Sequence, residues 1–464
     1  MKGDLTYCLE RLSSLRFNKI KDDLYRLRIL NRTHRLLPAH TYCLSNGLGV
    51  ILHPIPIADS ATVDVWVRTG GRNEPPEWLG ISHFLEHMVF KGSERLAPGE
   101  LDRAIEGRGG IANAATGQDY THYYMTVAAA DLPETLPYLA EAVLRAGIPD
   151  QEFEQEQQVI LEEIRRAADN LGYTAYQLLM ETAFGVEHPY GRPVLGTPAS
   201  LMGLTPELLR AYHRGWYRPE FMTVVVTGGI DPERALALVE KEFGGSAGGP
   251  GWIAPPISPQ PRPQGVLRRE SAHARAEEAR LKLAWPTVSL DAWEQVCGLE
   301  LLAVVLGEGR SSRLVHLLRE QRGWVRAIGC SSLVLKEGGL FCISAQLEVE
   351  DLAQVESTIL HEIEKLQQDG IGQAELDRAR RMLTHELLFS AESPSQLASL
   401  YGYYETLVGV QRLQEYLELL QAFTPAQIRE LAQQYLSPQA YVVALLKPAA
   451  SDAAAASELQ LACR

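Results

Sequence analysis

Two periodicities of apolar residues alternate along the chain. Apolar and polar residues alternate through residues 40–54 on both sides of Asn46-Gly47, which predicts a β-hairpin with a type I′ turn. Residues 61–70, ATVDVWVRTG, carry valine at every second position and predict a further strand with one apolar face. Residues 80–92, GISHFLEHMVFKG, repeat apolar residues at helical spacing instead. Strands and helices of this kind recur throughout, so we expect an α+β fold of mostly antiparallel sheets packed with helices.

The second half of the chain repeats the first. Residues 423–448 match residues 204–230, with a Thr-Pro pair and a later proline at a common offset of 219 (424 − 205 and 438 − 219). This repeat predicts two homologous domains of about 200 residues. A segment dense in glycine and proline separates them and predicts a linker. The expected divisions are an N-terminal extension at 1–39, a first domain at 40–243, a linker at 244–265, a second domain at 266–450 and a tail at 451–464.

Composition narrows the functional classes. The net charge of −14 over 464 residues argues against nucleic-acid binding as the main role. No apolar run reaches the roughly 20 residues that span a bilayer, so we expect no membrane span. The cysteines lack C-x-x-C spacing, so we expect free thiols in a reducing compartment and a cytoplasmic protein. There are six of them: Cys8, Cys43, Cys297, Cys330, Cys342 and Cys463.

The helix predicted at 80–92 carries a candidate metal site. His83, Glu86 and His87 stand in the order H-x-x-E-H. Residues four apart share a helix face, so both imidazoles point at one spot with the carboxylate beside them. That set is typical of a zinc site awaiting a third ligand, in the residue order of the inverzincin metalloproteases. Such a histidine pair also arises by chance on surface and core helices, so the prediction depends on a further ligand.

An acidic helix predicted at 151–170 offers that ligand. Most of its glutamates must be solvated, but Glu156 and Glu163 lie nearly two turns apart and share a face. One would be a metal ligand and the other a supporting residue, and the spacing does not decide between them. A second element, residues 110–129, is polar and then strand-like. It fits a strand that offers its edge to a peptide and an ordinary edge strand equally well.

The repeat does not carry the motif. Around residues 300–313, where the second copy of the metal helix is expected, ELLAVVLGEGRSSR contains no H-x-x-E-H. Glu386 matches Glu163 at an offset of 223 in a second aligned segment (371 − 148), but no histidines accompany it. We therefore expect the second domain to be structural or to handle substrate.

Several stretches together resemble one known family. HFLEHMVFKGS, GGIANAATGQDYTHYY, EQQVILEEI, HPYGRPVLGT and YHRGWYRPEFMTVVVTG are similar to segments of the pitrilysin (M16) metallopeptidases. The closest type is the short, two-domain group that includes the mitochondrial processing peptidase β-subunit and bacterial relatives. The resemblance covers roughly residues 40–448. It implies the pitrilysin/LuxS-like metallohydrolase fold and a zinc-dependent endopeptidase that cleaves unstructured peptides.

The resemblance also assigns roles. It implies that His83, His87 and Glu163 bind Zn²⁺, that Glu86 is the general base and that Glu156 supports the site. The family binds extended peptides by strand addition, which implies substrate contacts from the strand that follows the metal helix. Those contacts are expected from Asn113, Ala114 and Thr116, with Asn113 the foremost side chain.

One departure from the family pattern concerns the second domain. Members usually carry an arginine there and, seven residues on, a tyrosine, both of which reach the substrate. Here Arg319 is present, but Arg326 occupies the tyrosine position. The departure is explained by sequence drift, by a compensating contact from Arg326, or by another chain that supplies the pair. Two-domain members usually dimerise around a chamber, so we expect a homodimer or a heterodimer with a homologous subunit that carries the Arg/Tyr pair. The alternative functions are a non-catalytic scaffold and a metal-independent peptide-binding subunit.

Overall fold

The computed structural model describes residues 39–246, 254 and 256–449. Four of the expected divisions fall wholly or partly outside the described residues. They are the N-terminal extension up to residue 38, the linker at 247–253 and 255, the second domain at residue 450, and the tail at 451–464.

Strands of the first half form a six-stranded sheet. They are β1 (His40–Cys43), β2 (Gly49–Pro54), β3 (Ser60–Val67), β4 (Ile111–Thr116), β5 (Thr121–Ala128) and β6 (Met222–Gly228). Their order is β1-β2-β6-β3-β5-β4. All neighbours are antiparallel except β2 and β6, which are parallel.

The hairpin predicted at Asn46-Gly47 is present between β1 and β2, but its turn type differs from the prediction. A type I′ turn needs positive φ at both central residues. Among the described residues other than glycine, only Ile148 has a positive φ, so Asn46 does not adopt that conformation. Its side-chain amide instead donates to the carbonyl oxygen of Phe243 at 2.9 Å, a distant contact that local sequence does not reveal.

The described first half also contains eight α-helices, and several of them cover one face of this sheet. The apolar alternation of β3 explains why, since Val63, Val65 and Val67 are buried in the core beneath them. The helices are α1 (Ile81–Val89), α2 (Glu100–Glu106), α3 (Leu132–Leu144), α4 (Asp150–Asp169), α5 (Leu171–Phe184), α6 (Pro198–Met202), α7 (Pro206–Trp216) and α8 (Pro232–Phe243).

The second half builds a five-stranded sheet in the order β7-β11-β8-β10-β9. Its strands are β7 (Leu267–His273), β8 (Ala279–Pro286), β9 (Ala327–Leu335), β10 (Gly338–Leu347) and β11 (Val442–Pro448). Its α-helices are α9 (Trp293–Gly307), α10 (Leu352–Asp369), α11 (Gln373–Phe389), α12 (Pro394–Leu407), α13 (Gln411–Ala422) and α14 (Pro425–Tyr435). A π-helical segment, Val315–Gln321, precedes β9.

The two sheets repeat one topology. The order β2-β6-β3-β5-β4 corresponds to β7-β11-β8-β10-β9, and in each set only the first pair is parallel. Helices α7 and α14 begin and end 219 residues apart (425 − 206 and 435 − 216), each capped by the threonine before it. The predicted architecture of two homologous α+β domains is confirmed.

The two halves also exchange helices across their contact. Helix α12 of the second half packs on β3 and β6, while α5 of the first half packs on β11, β8 and β7. Gly402 permits the first approach, because a Cβ there would lie 2.0 Å from Nε1 of Trp66. The Tyr401 hydroxyl and Nδ1 of His53 are 2.8 Å apart across the same contact. Each sheet is therefore covered on one face by a helix from the other half.

None of the helices in the described ranges combines the length and apolarity that crossing a bilayer requires.

Candidate metal centre

Helix α1 is held at its N-terminus by a buried carboxylate. The two oxygens of Glu74 accept hydrogen bonds from the backbone N–H groups of Gly80 and Ser82, at 2.9 and 2.8 Å. These donors have no partner within the helix, so the contact stabilises its first turn. Burial raises the pKa of Glu74 to about 7. The apolar side of α1, which includes Phe84 and Met88, is buried in the core and leaves the polar side facing a cleft.

The three predicted zinc ligands lie together in this cleft. His83 and His87 are one turn apart on α1, and Glu163 comes from α4. Oε2 of Glu163 is 3.6 Å from Nε2 of each histidine. One donor atom from each residue lies within 4.8 Å of the other two. The fold thus converges side chains that are 76 residues apart in sequence (163 − 87).

This donor set fits zinc. Zinc bonds of about 2.0–2.2 Å in a tetrahedron place neighbouring donors roughly 3.3–3.6 Å apart, close to the two measured separations. Two imidazole nitrogens and one carboxylate are a common catalytic zinc set. We therefore predict that His83, His87 and Glu163 are the residues that would hold the ion.

Electrostatics hold His83 and Glu163 in forms that can bind a cation. Burial, followed by the nearby His87, lowers the pKa of His83 to about 4 and keeps its imidazole neutral. A hydrogen bond from His87 lowers the pKa of Glu163 and keeps it ionised. Burial opposes protonation of His87, but its bonds to Glu163 and Glu156 outweigh burial and raise its pKa. Without a metal, a proton on His87 therefore balances the carboxylates.

Glu156 lies on the opposite side of the His87 ring from Glu163. Its Oε2 is 3.0 Å from Nδ1 of His87, and its Oε1 is 2.6 Å from Nζ of Lys91. A carboxylate on Nδ1 fixes the tautomer that leaves the Nε2 lone pair free for a metal. The geometry separates the two glutamates that spacing left equivalent. Sequence reasoning missed Lys91, although it lies four residues after His87, one helical turn further on.

The predicted base, Glu86, faces the same cleft. Its Oε2 accepts a hydrogen bond from Oγ1 of Thr116 at 2.5 Å. Burial raises the pKa of Glu86, and the Thr116 bond partly offsets that rise. The cleft is a cavity of about 640 Å³ lined by His83, Glu86, Thr116 and Glu163 among others. Thr116, predicted as a substrate contact, is therefore also a partner of Glu86.

Strand β4 forms one edge of the first sheet and, in the part of the chain described, pairs only with β5. Its outer edge is therefore open to another strand. Asn113 is exposed, and its Oδ1 accepts from the backbone N–H of Ala114 at 2.8 Å. Ala114 packs against the core. Neither residue lines the cleft, so their predicted substrate contacts would have to come from the strand edge.

Arg319 and Arg326, the two arginines at the departure from the family pattern, lie outside the zinc cleft. Nη2 of Arg319 is 2.8 Å from Glu320, and Nε of Arg326 is 2.9 Å from Glu278. Neither residue lines the cleft of its own chain. Their predicted role in substrate binding would therefore have to serve a second chain.

A second cleft, of about 330 Å³, occupies the matching place in the second half. Glu300, Ala303 and Val304 line it with the spacing of His83, Glu86 and His87, on a helix that begins at Trp293, earlier than the predicted position. Glu386 of α11 lies across from them. The strand registers agree at the offset of 219 that relates Thr223 to Val442. The paired residues Ala115, His122, Trp66 and Thr223 then correspond to Ser331, Cys342, Ala284 and Val442, so Thr116 corresponds to Ser332.

Known proteins share both halves of this architecture. The family model described as Insulinase (Peptidase family M16) matches residues 50–198, and the one described as Peptidase M16 inactive domain matches residues 203–383. An uncharacterized zinc protease of Mycobacterium leprae is 31% identical over 90% of this chain and 94% of its own length. The uncharacterized zinc protease YmxG of Bacillus subtilis is 30% identical over 88% and 98%. The crystal structure of a protease from Helicobacter pylori superposes with a TM-score of 0.82 at 26% identity, covering 88% of this chain and 99% of that one.

Proposed function

This chain belongs to the peptidase M16 family, and from that premise we propose that it is a zinc-dependent endopeptidase of unstructured peptides. The relatives named zinc proteases support a peptidase that uses zinc. One observation carries the rest of the proposal. The donor atoms of His83, His87 and Glu163 lie within 4.8 Å of one another, in a cavity that Glu86 also lines.

The proposed chemistry divides between the ion and Glu86. Zinc, when bound by His83, His87 and Glu163, supplies a Lewis acid that polarises the scissile carbonyl and acidifies the attacking water. Glu86 is the catalytic residue, since its carboxylate accepts the proton of that water and passes it to the leaving amine. Thr116 orients this carboxylate through its 2.5 Å hydrogen bond. Glu156 holds the Nδ1 proton of His87 and is held in turn by Lys91.

The open edge of β4 is the proposed binding element for the peptide. An extended substrate would add as a further strand, since the backbone groups on that edge have no partner strand in the described chain. Asn113, Ala114 and Thr116 are the proposed contacts. Because Thr116 is the last residue of β4 and touches Glu86, a strand added there would pass beside the catalytic residue.

We propose that the chain acts as a dimer. The chamber would form between two subunits, and Arg319 and Arg326 would face the zinc cleft of the other chain. The partner is either a second copy or a homologue with the Arg/Tyr pair. We also propose the domain boundaries expected from the sequence, at 40–243, 244–265 and 266–450. A cytoplasmic location is proposed with them.

The first experiment is cleavage of a mixed set of quenched fluorescent peptides by the zinc-loaded chain. Glu86→Gln preserves size and should retain zinc, while kcat/KM should fall on the order of 10²–10⁴-fold because general-base catalysis is lost. Zinc content is measured on both proteins. If the variant cleaves as fast as wild type, Glu86 is not the base.

A folded, zinc-loaded wild type that cleaves nothing would support a requirement for a partner or a non-catalytic scaffold. Size exclusion of the chain alone and with a co-expressed homologue that lacks H-x-x-E-H separates these. A complex that gains activity supports the heterodimer. An inactive chain that forms no complex would favour the scaffold.

A further inference from the structure

One face of α4 forms a wall of the zinc cleft. Val159, Glu163, Arg166, Ala167 and Asn170 all line the cavity, and their spacing of four, three, one and three residues is that of a single helix face. Arg166 lies one turn beyond Glu163 on this face. A guanidinium is therefore placed beside the proposed metal, about 4.5 Å further along the helix axis.

Arg166 has no hydrogen-bond or ion-pair partner among the described residues, and its side chain is exposed to the cleft. Its neighbour Arg165 differs, since it forms an ion pair with Glu162 on the outer side of α4 and does not line the cavity. Two adjacent arginines on one helix thus have different surroundings. The one that faces the cleft forms no ion pair within the described chain, and its charge helps to lower the pKa of Glu163.

The other residues that line the cavity favour Arg166 as a residue that recognises the substrate. Apolar or aromatic walls come from Val159, Tyr173, Val194 and Leu195. The other charged groups of the cavity are Glu86 and Glu163, the proposed base and zinc ligand. The cavity therefore offers one cation to a substrate, and both carboxylates already have proposed functions.

Helix α5 adds to this positive potential. It begins at Leu171, directly after Asn170, and Asn170 and Tyr173 of this end line the cavity. Oδ1 of Asn170 already accepts from the backbone N–H groups of Gly172 and Tyr173, at 2.9 and 3.1 Å, so this end contributes only the partial positive charge of a helix N-terminus. Arg166 and the start of α5 act on the same part of the cleft.

We propose that Arg166 makes this cleft select peptides with an aspartate or glutamate close to the scissile bond. The inference rests on the proposed peptidase function and specifies its substrate class. Arg166 is one helical turn from Glu163, and an extended peptide advances about 3.3 Å per residue. The acidic side chain would therefore lie within two residues of the bond that is cleaved.

The test uses quenched peptides of one neutral sequence. Each of the two positions on either side of the scissile bond carries Asn, Asp or Lys in turn, and kcat/KM is measured for wild type, Arg166→Gln and Arg166→Glu. We expect one position at which wild type prefers Asp to Asn about tenfold, the size of a charge-assisted hydrogen bond. Arg166→Gln should bring that ratio to about one, and Arg166→Glu should favour Lys.

Arg165 provides the matched control on the same helix. Arg165→Gln and Arg165→Glu make the same charge changes outside the cavity and should leave the Asp/Asn ratio unchanged. Zinc content is measured for all variants, so that a change in metal binding is separated from a change in selectivity. A wild type that cleaves the Asn peptide but shows no Asp preference at any position would overturn the inference and leave the peptidase function intact.

A binding measurement distinguishes failure of the inference about acidic substrates from failure of the proposed peptidase function. Fluorescence anisotropy of labelled Asp and Asn peptides on zinc-loaded Glu86→Gln reports selectivity without catalysis. Tighter Asp binding that Arg166→Gln abolishes would support the inference even where no cleavage is seen. Equal affinities would count against it.

Discussion

The zinc cleft of the first half and the matching cleft of the second are built on the same strands and helices. At the three helix positions, His83, Glu86 and His87 correspond to Glu300, Ala303 and Val304. On the facing helix the carboxylates Glu163 and Glu386 correspond at an offset of 223, and the same offset matches Glu156 with Ala379. The backbone geometry is repeated, while the imidazoles, the base and the supporting carboxylate are present only in the first.

The contrast shows how few side chains separate a metal site from a carboxylate pocket. In the second cleft, Glu300 accepts a hydrogen bond from the Tyr416 hydroxyl at 2.6 Å, and burial raises its pKa to about 7. Val304 offers no donor atom, and Ala303 no base. Among the described residues, His83, His87 and Glu163 form the one group of three side chains arranged to hold a metal ion.

The largest expected effect distinguishes the two matched glutamates. Glu163→Gln removes one of three zinc ligands. Structural zinc sites with four protein ligands bind with about 10–16 kcal/mol, so one ligand is worth about 3 kcal/mol and affinity should fall on the order of 10²-fold. Glu386→Gln makes the same change in the second cleft and should leave zinc affinity unchanged. Competition with a chromogenic chelator measures both. Equal losses in the two variants would refute the functional difference between the clefts.

Glu300, in the second cleft, should make the free energy of unfolding depend on pH. Because the pKa of Glu300 is raised to about 7 in the folded chain, the folded state keeps a proton between pH 4.5 and 7 that the unfolded state releases. The free energy of unfolding should therefore decrease as pH rises through this window, by at most about 3 kcal/mol from this residue.

Glu300→Gln tests this dependence while keeping an oxygen acceptor for Tyr416. Urea unfolding at pH 4.5 and pH 7.5 should show a smaller loss of stability for the variant than for wild type. Glu294→Gln, on an exposed side chain of the same helix, controls for the removed charge. An unchanged pH slope in Glu300→Gln would show that this carboxylate is not the source.

The smallest predicted effect concerns the strand beside each cleft. Thr116→Val removes the hydroxyl that donates to Glu86. Because one hydrogen bond to a charged group has a net value of about 1.5 kcal/mol, kcat should fall about tenfold, with little change in KM. Thr116→Ser retains the hydroxyl and should recover most of that loss. Ser332→Val changes the matching position of β9, in the second cleft, and should leave kcat unaltered. A Thr116→Val enzyme with wild-type kcat would remove this residue from the orientation of Glu86.

Much of the fold was accessible from sequence because its signals are local or repeated. Valine alternation in β3, the apolar face of α1 and the threonine caps of α7 and α14 each depend on residues within one or two turns or a few strand positions. The repeat then revealed two homologous domains. The turn at Asn46 was predicted wrongly, because a contact with Phe243, 197 residues away, holds its side chain.

The sequence by itself determined the composition of the candidate zinc site and the face on which each member lies, since a helix repeats every 3.6 residues regardless of its surroundings. Only the tertiary structure decided which carboxylate meets which nitrogen of His87, that Lys91 holds Glu156 and that Thr116 holds Glu86. It also decided that Arg166 faces the cleft while Arg165 faces outward. These contacts join different elements, and their distances depend on how α1, α4 and β4 pack together, which helical and strand periodicity do not specify.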